Sequence, residues 1–431
     1  MFEPDPQGAR FGPLWFVPGI RPRDAAALLL AVITNISMIT YFTFMQPYVL
    51  TEILHVPAGR QGVLTGTLGS LQEIISLLLM SFIGALSDTA GRRLLGAIGF
   101  GFIAVGFFLY PLAGSEAQLL LPRIVFGIGV AMVPVVTTAC VVAYVQEISR
   151  GKWSATVSVC NSIAIVFVAV VMSKIPVWLT SKGLDAALAG RYAYWTGAVI
   201  CLLGVPLAYY RLRETTLEPR ETGHSLFSQV ASGLRLARGN PRLPLAYTAG
   251  IIGRGDLIVI STFLSLWVVH VGAGAGVSTG QSMVRAGIIF AVIQTSALLW
   301  APIMGTLVDR VHRVTALALA MAIAAAGYLL MGQVADPFSG SVFAVAVLLG
   351  MGENSVLIAS IALVGQETPR RLQGTSVGMF LVMGAIGVIV ANSLGGQLFD
   401  HWSRTGPFTL MAVLNVCVML WALVVRWRLA P

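Results

Sequence analysis

The chain has 431 residues, of which 57% are hydrophobic and 10% charged, against roughly 25% charged in an average soluble domain. Mean hydropathy is +0.84. These values exclude a disordered chain, a secreted disulfide scaffold and an ordinary soluble enzyme. With the apolar residues gathered in long runs, they predict a polytopic membrane protein. The net charge of +9 reads as orientation charge on loops, not as a nucleic-acid footprint.

A helix needs about 20 apolar residues to cross the hydrocarbon layer. Twelve such runs follow one another at approximately 25–50, 62–86, 94–112, 117–145, 153–178, 190–210, 244–272, 284–308, 313–334, 339–366, 373–400 and 406–428. The alternating strands of a membrane β-barrel are not seen. No basic start leads into an apolar core and cleavage site, so the first span is expected to stay in place. Phe11 to Phe16, just before it, is expected to be an interfacial anchor. The longest polar stretch, 211–243, separates spans six and seven. Leu226, Val230 and Leu234 recur there at four-residue spacing, which predicts a surface helix over 224–238. The expected organisation is an N-terminal six-helix bundle (1–210), a cytoplasmic linker (211–243) and a C-terminal six-helix bundle (244–431). An even number of spans puts both termini on one face. Nineteen basic residues fall on that face and six on the other, so both termini are expected in the cytoplasm.

The halves repeat. Gly84, Leu86, Asp88, Gly91, Arg92 and Arg93 follow span two, and Gly305, Leu307, Asp309 and Arg313 follow span eight, 221 residues later. Gln146, Glu147 and Arg150 follow span four; Gln366, Glu367 and Arg370 follow span ten, 220 residues later. Parallel six-span repeats mark one large transporter class. On these residues the chain resembles the major facilitator superfamily, whose loop signature reads G-x-L-x-D-x-x-G-R-K/R. The first copy matches fully; in the second, His312 replaces the second glycine. Arg123, Gly127 and Gly129 in span four match a further family pattern, R-x-x-x-G-x-G. The G-x-x-x-G-P pattern of the antiporter subgroups is missing from span five. The resemblance implies an all-α fold of 12 transmembrane helices in two pseudo-symmetric bundles, working by alternating access.

The loop motif also makes physical sense by itself. Gly84 is expected to let another helix approach span two closely. Asp88 is expected to accept from the N–H groups at the start of span three, or to pair with Arg92. Glu147 and Arg150 are further partners of a cytoplasmic latch.

Interior charge is sparse and uneven. Glu73, Arg123, Arg254, Asp256 and Glu353 lie within spans two, four, seven and ten, whereas spans three, six and nine carry none. A charge at the bilayer centre costs about 2.5 kcal/mol or more, so it normally faces a cavity or a partner. Spans three, six, nine and twelve are therefore expected to face lipid. At 1.5 Å per residue, Glu73, Arg254 and Glu353 lie roughly 15–20 Å below the surface, near the depth where transporters bind substrate. Arg254 and Asp256, two apart, point to different sides of a helix. Gly253 and Gly255 are expected to unwind span seven locally. A carboxyl in an apolar site keeps its proton more readily than one in water. Glu73 and Glu353 are thus candidate proton carriers, and Gln294 stands where the repeat would place the second copy of Glu73. Asn35 and Tyr41 are further polar candidates on span one.

The four cysteines all fall in apolar runs, with no CxxC or Cys/His metal spacing, so neither disulfide nor metal nor other cofactor is expected. No Walker motif, HExxH or GxSxG is present. The expected protein is a monomeric secondary transporter of a small molecule in the bacterial inner (plasma) membrane, with proton coupling as one option. The alternative is a non-transporting receptor or scaffold on the same fold.

Overall fold

The computed structural model describes residues 7–214, 226–369 and 372–428. The side chains of Asp88 and of residues 226–230, and the whole of Arg370, lie outside that description. Among the described residues, twelve helices are long and apolar enough to cross a membrane: Pro22–Ile53, Ala58–Met80, Arg92–Leu112, Ala117–Ala143, Glu147–Ser181, Ala186–Arg211, Arg242–Gly274, Thr279–Arg310, Arg313–Gln333, Val342–Glu367, Thr375–His401 and Gly406–Arg428. They are called spans one to twelve. In the linker, Leu226–Gly239 is helical. One face of that helix rests on span eleven, where a side chain at Gly233 would meet Met379 Cγ at 2.6 Å. Leu234 points outward and is exposed.

The chain forms two compact units, Met1–Thr43 with Ile75–Gly223, and Phe44–Ile74 with His224–Pro431. In the first, span three is clamped between spans four and six by small residues. Gly99 lies against Met132 and Val133, Gly106 against Phe126, and Gly197 of span six against Phe107. Such close approaches give membrane helices van der Waals contact that lipid does not offer. On its other side span three exposes Leu94, Ile98, Val105 and Phe108.

The expected interfacial anchor is instead a small hairpin. Arg10–Phe11 pairs with Leu14–Trp15, and Phe16 bridges Val145. Trp15 N donates to Ser149 Oγ (2.8 Å), Gln146 Nε2 donates to the Phe16 carbonyl (2.8 Å), and the Phe16 ring meets Trp153 edge-on. Phe16 is 1% exposed. The turn between spans four and five thus holds Phe16, while Phe11 stays exposed.

Span seven also differs from expectation. It remains α-helical through Gly253 and Gly255, and its irregular turn, a π-helix, comes later at Val259–Phe263. The two glycines are used for packing: a side chain at Gly253 would meet Val356 at 2.9 Å, and one at Gly255 would meet Met411 at 3.0 Å.

Candidate functional site

Asp256, Glu353 and Gln294 come together in the second unit as neighbouring polar groups. Asp256 is fully buried, and Asn415 of span twelve donates to both its oxygens, at 3.0 and 3.2 Å. Tyr328 of span nine donates to its backbone carbonyl at 2.7 Å. Glu353 is 4% exposed and faces Gln294. Glu353 Oε2 and Gln294 Nε2 are buried atoms without a geometric hydrogen-bond partner among the described residues.

Arg254 differs from Asp256 in being exposed, although it sits mid-span. Its stem lies against span eleven, where a side chain at Gly384 would meet Arg254 Cγ at 2.7 Å. Glu73 is half-buried and within Coulombic reach of Arg254. Among the described residues the two make no ion pair.

The other candidates lie in the first unit. Arg123 is 1% exposed, with its guanidinium 5.2 Å from the Phe42 ring centre and 6.0 Å from that of Phe126. Tyr110 and Tyr194 stand close to it. Tyr41 is fully buried, donates to the Ala193 carbonyl of span six (3.2 Å) and stacks on Phe107. Its hydroxyl is thereby used in helix–helix contact. Asn35 is 7% exposed and its Oδ1 has no partner among the described residues. No group of three or more His, Cys, Asp or Glu that could hold a metal ion occurs among the described residues.

At the loop motif Glu214 accepts from the start of span three; the expectation for Asp88 falls on a side chain outside the described residues. Glu214 takes Arg92 N at 3.2 Å and Arg93 N at 3.1 Å, with Arg93 Nε 3.9 Å away. It thus satisfies the exposed N–H groups of a helix N-terminus. Gly91 permits this, because its φ is +89° and a side chain there would stand 3.0 Å from Glu214 Oε1. The sequence separation hid this partner. A methyl group placed at Gly84 or at Gly305 would meet no described atom within 4 Å, so neither glycine serves a close helix approach here. Glu147 pairs with Arg150 at 2.6 Å, and Asp309 with Arg313 at 3.2 Å. These short-range surface pairs are worth about 0–1 kcal/mol each. Glu367 instead ties span ten to the start of span seven, accepting from Asn240 Nδ2 at 2.8 Å and Arg242 at 3.2 Å.

His312, which occupies the position of Gly91 in the second repeat, caps span nine itself. Its Nδ1 accepts from Val314 N at 3.2 Å. Burial, with Arg426 and Arg242 close by, holds its imidazole below the ordinary value of 6.5, and Glu367 opposes this. Because the folded state favours the neutral ring, the contribution is complete above that ordinary value and fades as pH falls below it. Amide exchange over 313–316, corrected for intrinsic rates, should rise by up to about fivefold on acidification to about pH 5, consistent with a cap worth at most about 1 kcal/mol. His312→Asn, a cap that does not titrate, should abolish that dependence.

A seam that sequence reasoning missed joins spans two and eleven on the face opposite the termini. Asp400 Oδ1 accepts from Gly62 N at 2.9 Å, and Oδ2 from Val63 N at 2.7 Å. Ser70 Oγ and Ser393 Oγ are 2.9 Å apart. His270 Nε2 lies 2.9 Å from Gln61 Oε1, and Arg404 contacts the other ring nitrogen. Gly62, Gly66 and Gly69 form the close stripe, and Gly396 meets Gly62 backbone to backbone. The readable signal was small residues three and four apart in span two, opposite Gly396 of span eleven. A side chain at Gly66 would overlap the Asn392 carbonyl oxygen. Gly66→Val should therefore part the seam, at a cost of about 1–3 kcal/mol or more, read as faster thiol labelling of a cysteine at Ser70 from outside.

Twelve apolar helices carrying a two-fold repeated loop motif and mid-span charges define a polytopic transporter fold. The chain belongs to the Major Facilitator Superfamily, whose family profile matches residues 27–297 and 274–431. It is an integral membrane protein of a transporter family. It is similar to magnetosome protein MamH of Paramagnetospirillum magneticum, with 24% identity over 412 residues, covering 94% of this chain and 93% of that protein. It is also similar to the uncharacterized MFS-type transporter YddS of Bacillus subtilis, with 26% identity over 355 residues, covering 79% and 78%. Among solved structures, the nucleoside transporter NupG shares the fold, with a TM-score of 0.73 at 12% identity, over 93% of this chain and 98% of that one.

Proposed function

We propose that this chain is a secondary active transporter that carries a small molecule across the membrane by alternating access, as a monomer. The observation that carries the reading is Arg254: a guanidinium exposed midway along a membrane span, with Glu73 in Coulombic reach. An ionised group at that depth faces water or a partner, not acyl chains. Arg254 favours an anionic or zwitterionic substrate, with Glu73 available to a cationic group on the same molecule. The repeats 1–210 and 244–431, joined by 211–243, are the bodies that rock. The spans two–eleven seam closes the outer end, and the loop motifs after spans two, four, eight and ten, with Asp88 and Arg370 among their residues, latch the cytoplasmic end. The arginine-rich loops support cytoplasmic termini in a bacterial inner membrane. Proton coupling runs through the buried carboxyls.

The test is flux into proteoliposomes loaded in turn with a panel of small anions, zwitterions and cations. A carrier gives saturable uptake that unlabelled substrate on the opposite side accelerates. Binding without flux for every compound would favour a receptor. Flux without that acceleration would favour a channel.

A further inference from the structure

On the face opposite the termini, the turn joining spans one and two is held by span seven and by the loop after span eleven. Val56 N donates to the Leu50 carbonyl at 2.8 Å, and His55 takes a positive φ of 51°. Gln61 Nε2 donates to the Val56 carbonyl at 2.8 Å, which fixes the amide and leaves Oε1 to face His270 Nε2 at 2.9 Å. Arg404 Nη1 donates to the Ala58 carbonyl at 3.2 Å and to His270 Nδ1. The His270 ring centre and the Arg404 guanidinium lie 5.1 and 5.3 Å from the centre of the Phe399 ring.

These partners decide the protonation of His270. A guanidinium only donates, so the nitrogen facing Arg404 carries a lone pair. A carbonyl oxygen only accepts, so the nitrogen facing Gln61 carries the hydrogen. His270 is thus the neutral Nε2–H tautomer, held between one donor and one acceptor. Among the described residues neither His270 nor Arg404 forms an ion pair. The other charged and titratable groups on the elements packed here are placed elsewhere. Asp400 is engaged at Gly62 and Val63, and Arg285 of span eight donates to the Pro337 and Ser339 carbonyls. His55 Nδ1 lies 3.0 Å from the Thr51 carbonyl. Glu52 is half-buried, and His55, Arg60 and His401 are exposed.

A proton on Nδ1 would remove the acceptor for Arg404 and set two cations in contact. A cavity of about 430 Å³, lined in part by Thr51, Gln61, His270 and Arg404, gives water a path to the ring. The closed turn holds the neutral ring, and a parted turn admits the charged one. By linkage, closure is complete near neutral pH and is lost as pH falls.

We propose that His270 and Arg404 form a proton-sensitive lock on the spans two–eleven seam. Protons from the outer side charge His270, expel Arg404 and free the turn between spans one and two. The lock rests on the reading that this seam closes the outer end. It sets when the seam opens and carries no proton across.

The test follows a cysteine at Ser70 in the full-length protein, reconstituted in vesicles with its four native cysteines replaced by serine. An impermeant thiol reagent is added on the outer side, and only the outer pH is changed. Each rate is divided by that of the unfolded chain at the same pH, which removes the titration of the thiol itself. Imidazole in water titrates at about 6.5, so the corrected rate should rise up to about tenfold from about pH 7.5 to about pH 5.5. His270→Gln, whose amide donates and accepts without titrating, should keep the neutral-pH rate throughout. His270→Lys, a fixed cation, should label at neutral pH as fast as the acidified chain with His270 intact. Nitrogen NMR of isotopically labelled histidine at neutral pH should show an Nε2–H signal that His270→Gln removes. A rate that ignores acid, while Asp400→Asn still raises it, would overturn the lock alone. A rate that answers to neither would overturn the closure reading with it. An equal rise in His270→Gln, or a charged or Nδ1–H ring at neutral pH, would also overturn the lock. The pH series and the tautomer, both read with His270 intact, decide the matter even where a variant fails to fold.

Discussion

Glu353→Gln is expected to exchange substrate across the membrane at near wild-type rates yet fail to concentrate it. One proton moved down a gradient of one pH unit releases about 1.4 kcal/mol, which supports about a tenfold substrate gradient. With the proton seat removed that work is no longer transmitted, and the variant should bring the two sides to a ratio of about one. Glutamine keeps the length and planarity of the side chain, and its amide can meet Gln294, so packing around Gly350 and Gly352 is preserved. The readout is substrate accumulation in proteoliposomes under an imposed pH gradient, compared with exchange at zero gradient. Loss of both would indicate a substrate contact or a folding defect, not a coupling role.

Asp400→Asn should have the second large effect. Asp400 places one carboxylate oxygen on each of two N–H groups at the start of span two, at 2.9 and 2.7 Å. Hydrogen bonds to a charged group are worth about 1.5–3 kcal/mol, and the helix N-terminus adds to this by its partial positive charge. Asparagine keeps one acceptor and turns an amide donor toward the second N–H. The outward-open state should gain about tenfold to a hundredfold in population. Thiol labelling of a cysteine at Ser70 by an impermeant reagent should rise by the same factor. The glycine stripe alone would not respond to this charge change, so unaltered labelling would assign the seam to packing.

The fold was legible because the bilayer leaves little choice. Apolar runs long enough to cross it become helices, and all twelve are present. The divergence of Arg254 and Asp256 followed from their spacing on one helix, and the structure holds Asp256 against Asn415 while Arg254 is exposed. What could not be read were contacts set by tertiary approach. Nothing near Arg92 in sequence points to Glu214, and nothing in span two names Asp400. The hairpin at residues 10–15 depends on Ser149 and Gln146, far along the chain, so composition alone suggested a membrane anchor. The glycines of span seven were read as points of weakness because sequence does not tell a glycine that loosens a helix from one that lets a neighbour in.

Whether the mid-span charges line a wet passage open to one side at a time is best tested with a single cysteine at Ser76, one turn from Glu73 on the same helix face. It is placed in a background with Cys140, Cys160, Cys201 and Cys417 replaced by serine and exposed to a charged, impermeant thiol reagent from either side. Modification is expected from one side, with the favoured side shifting outward when Asp400 is changed to asparagine. Modification only by lipid-soluble maleimide, from neither aqueous side, would place this face of span two in the bilayer and contradict the wet passage.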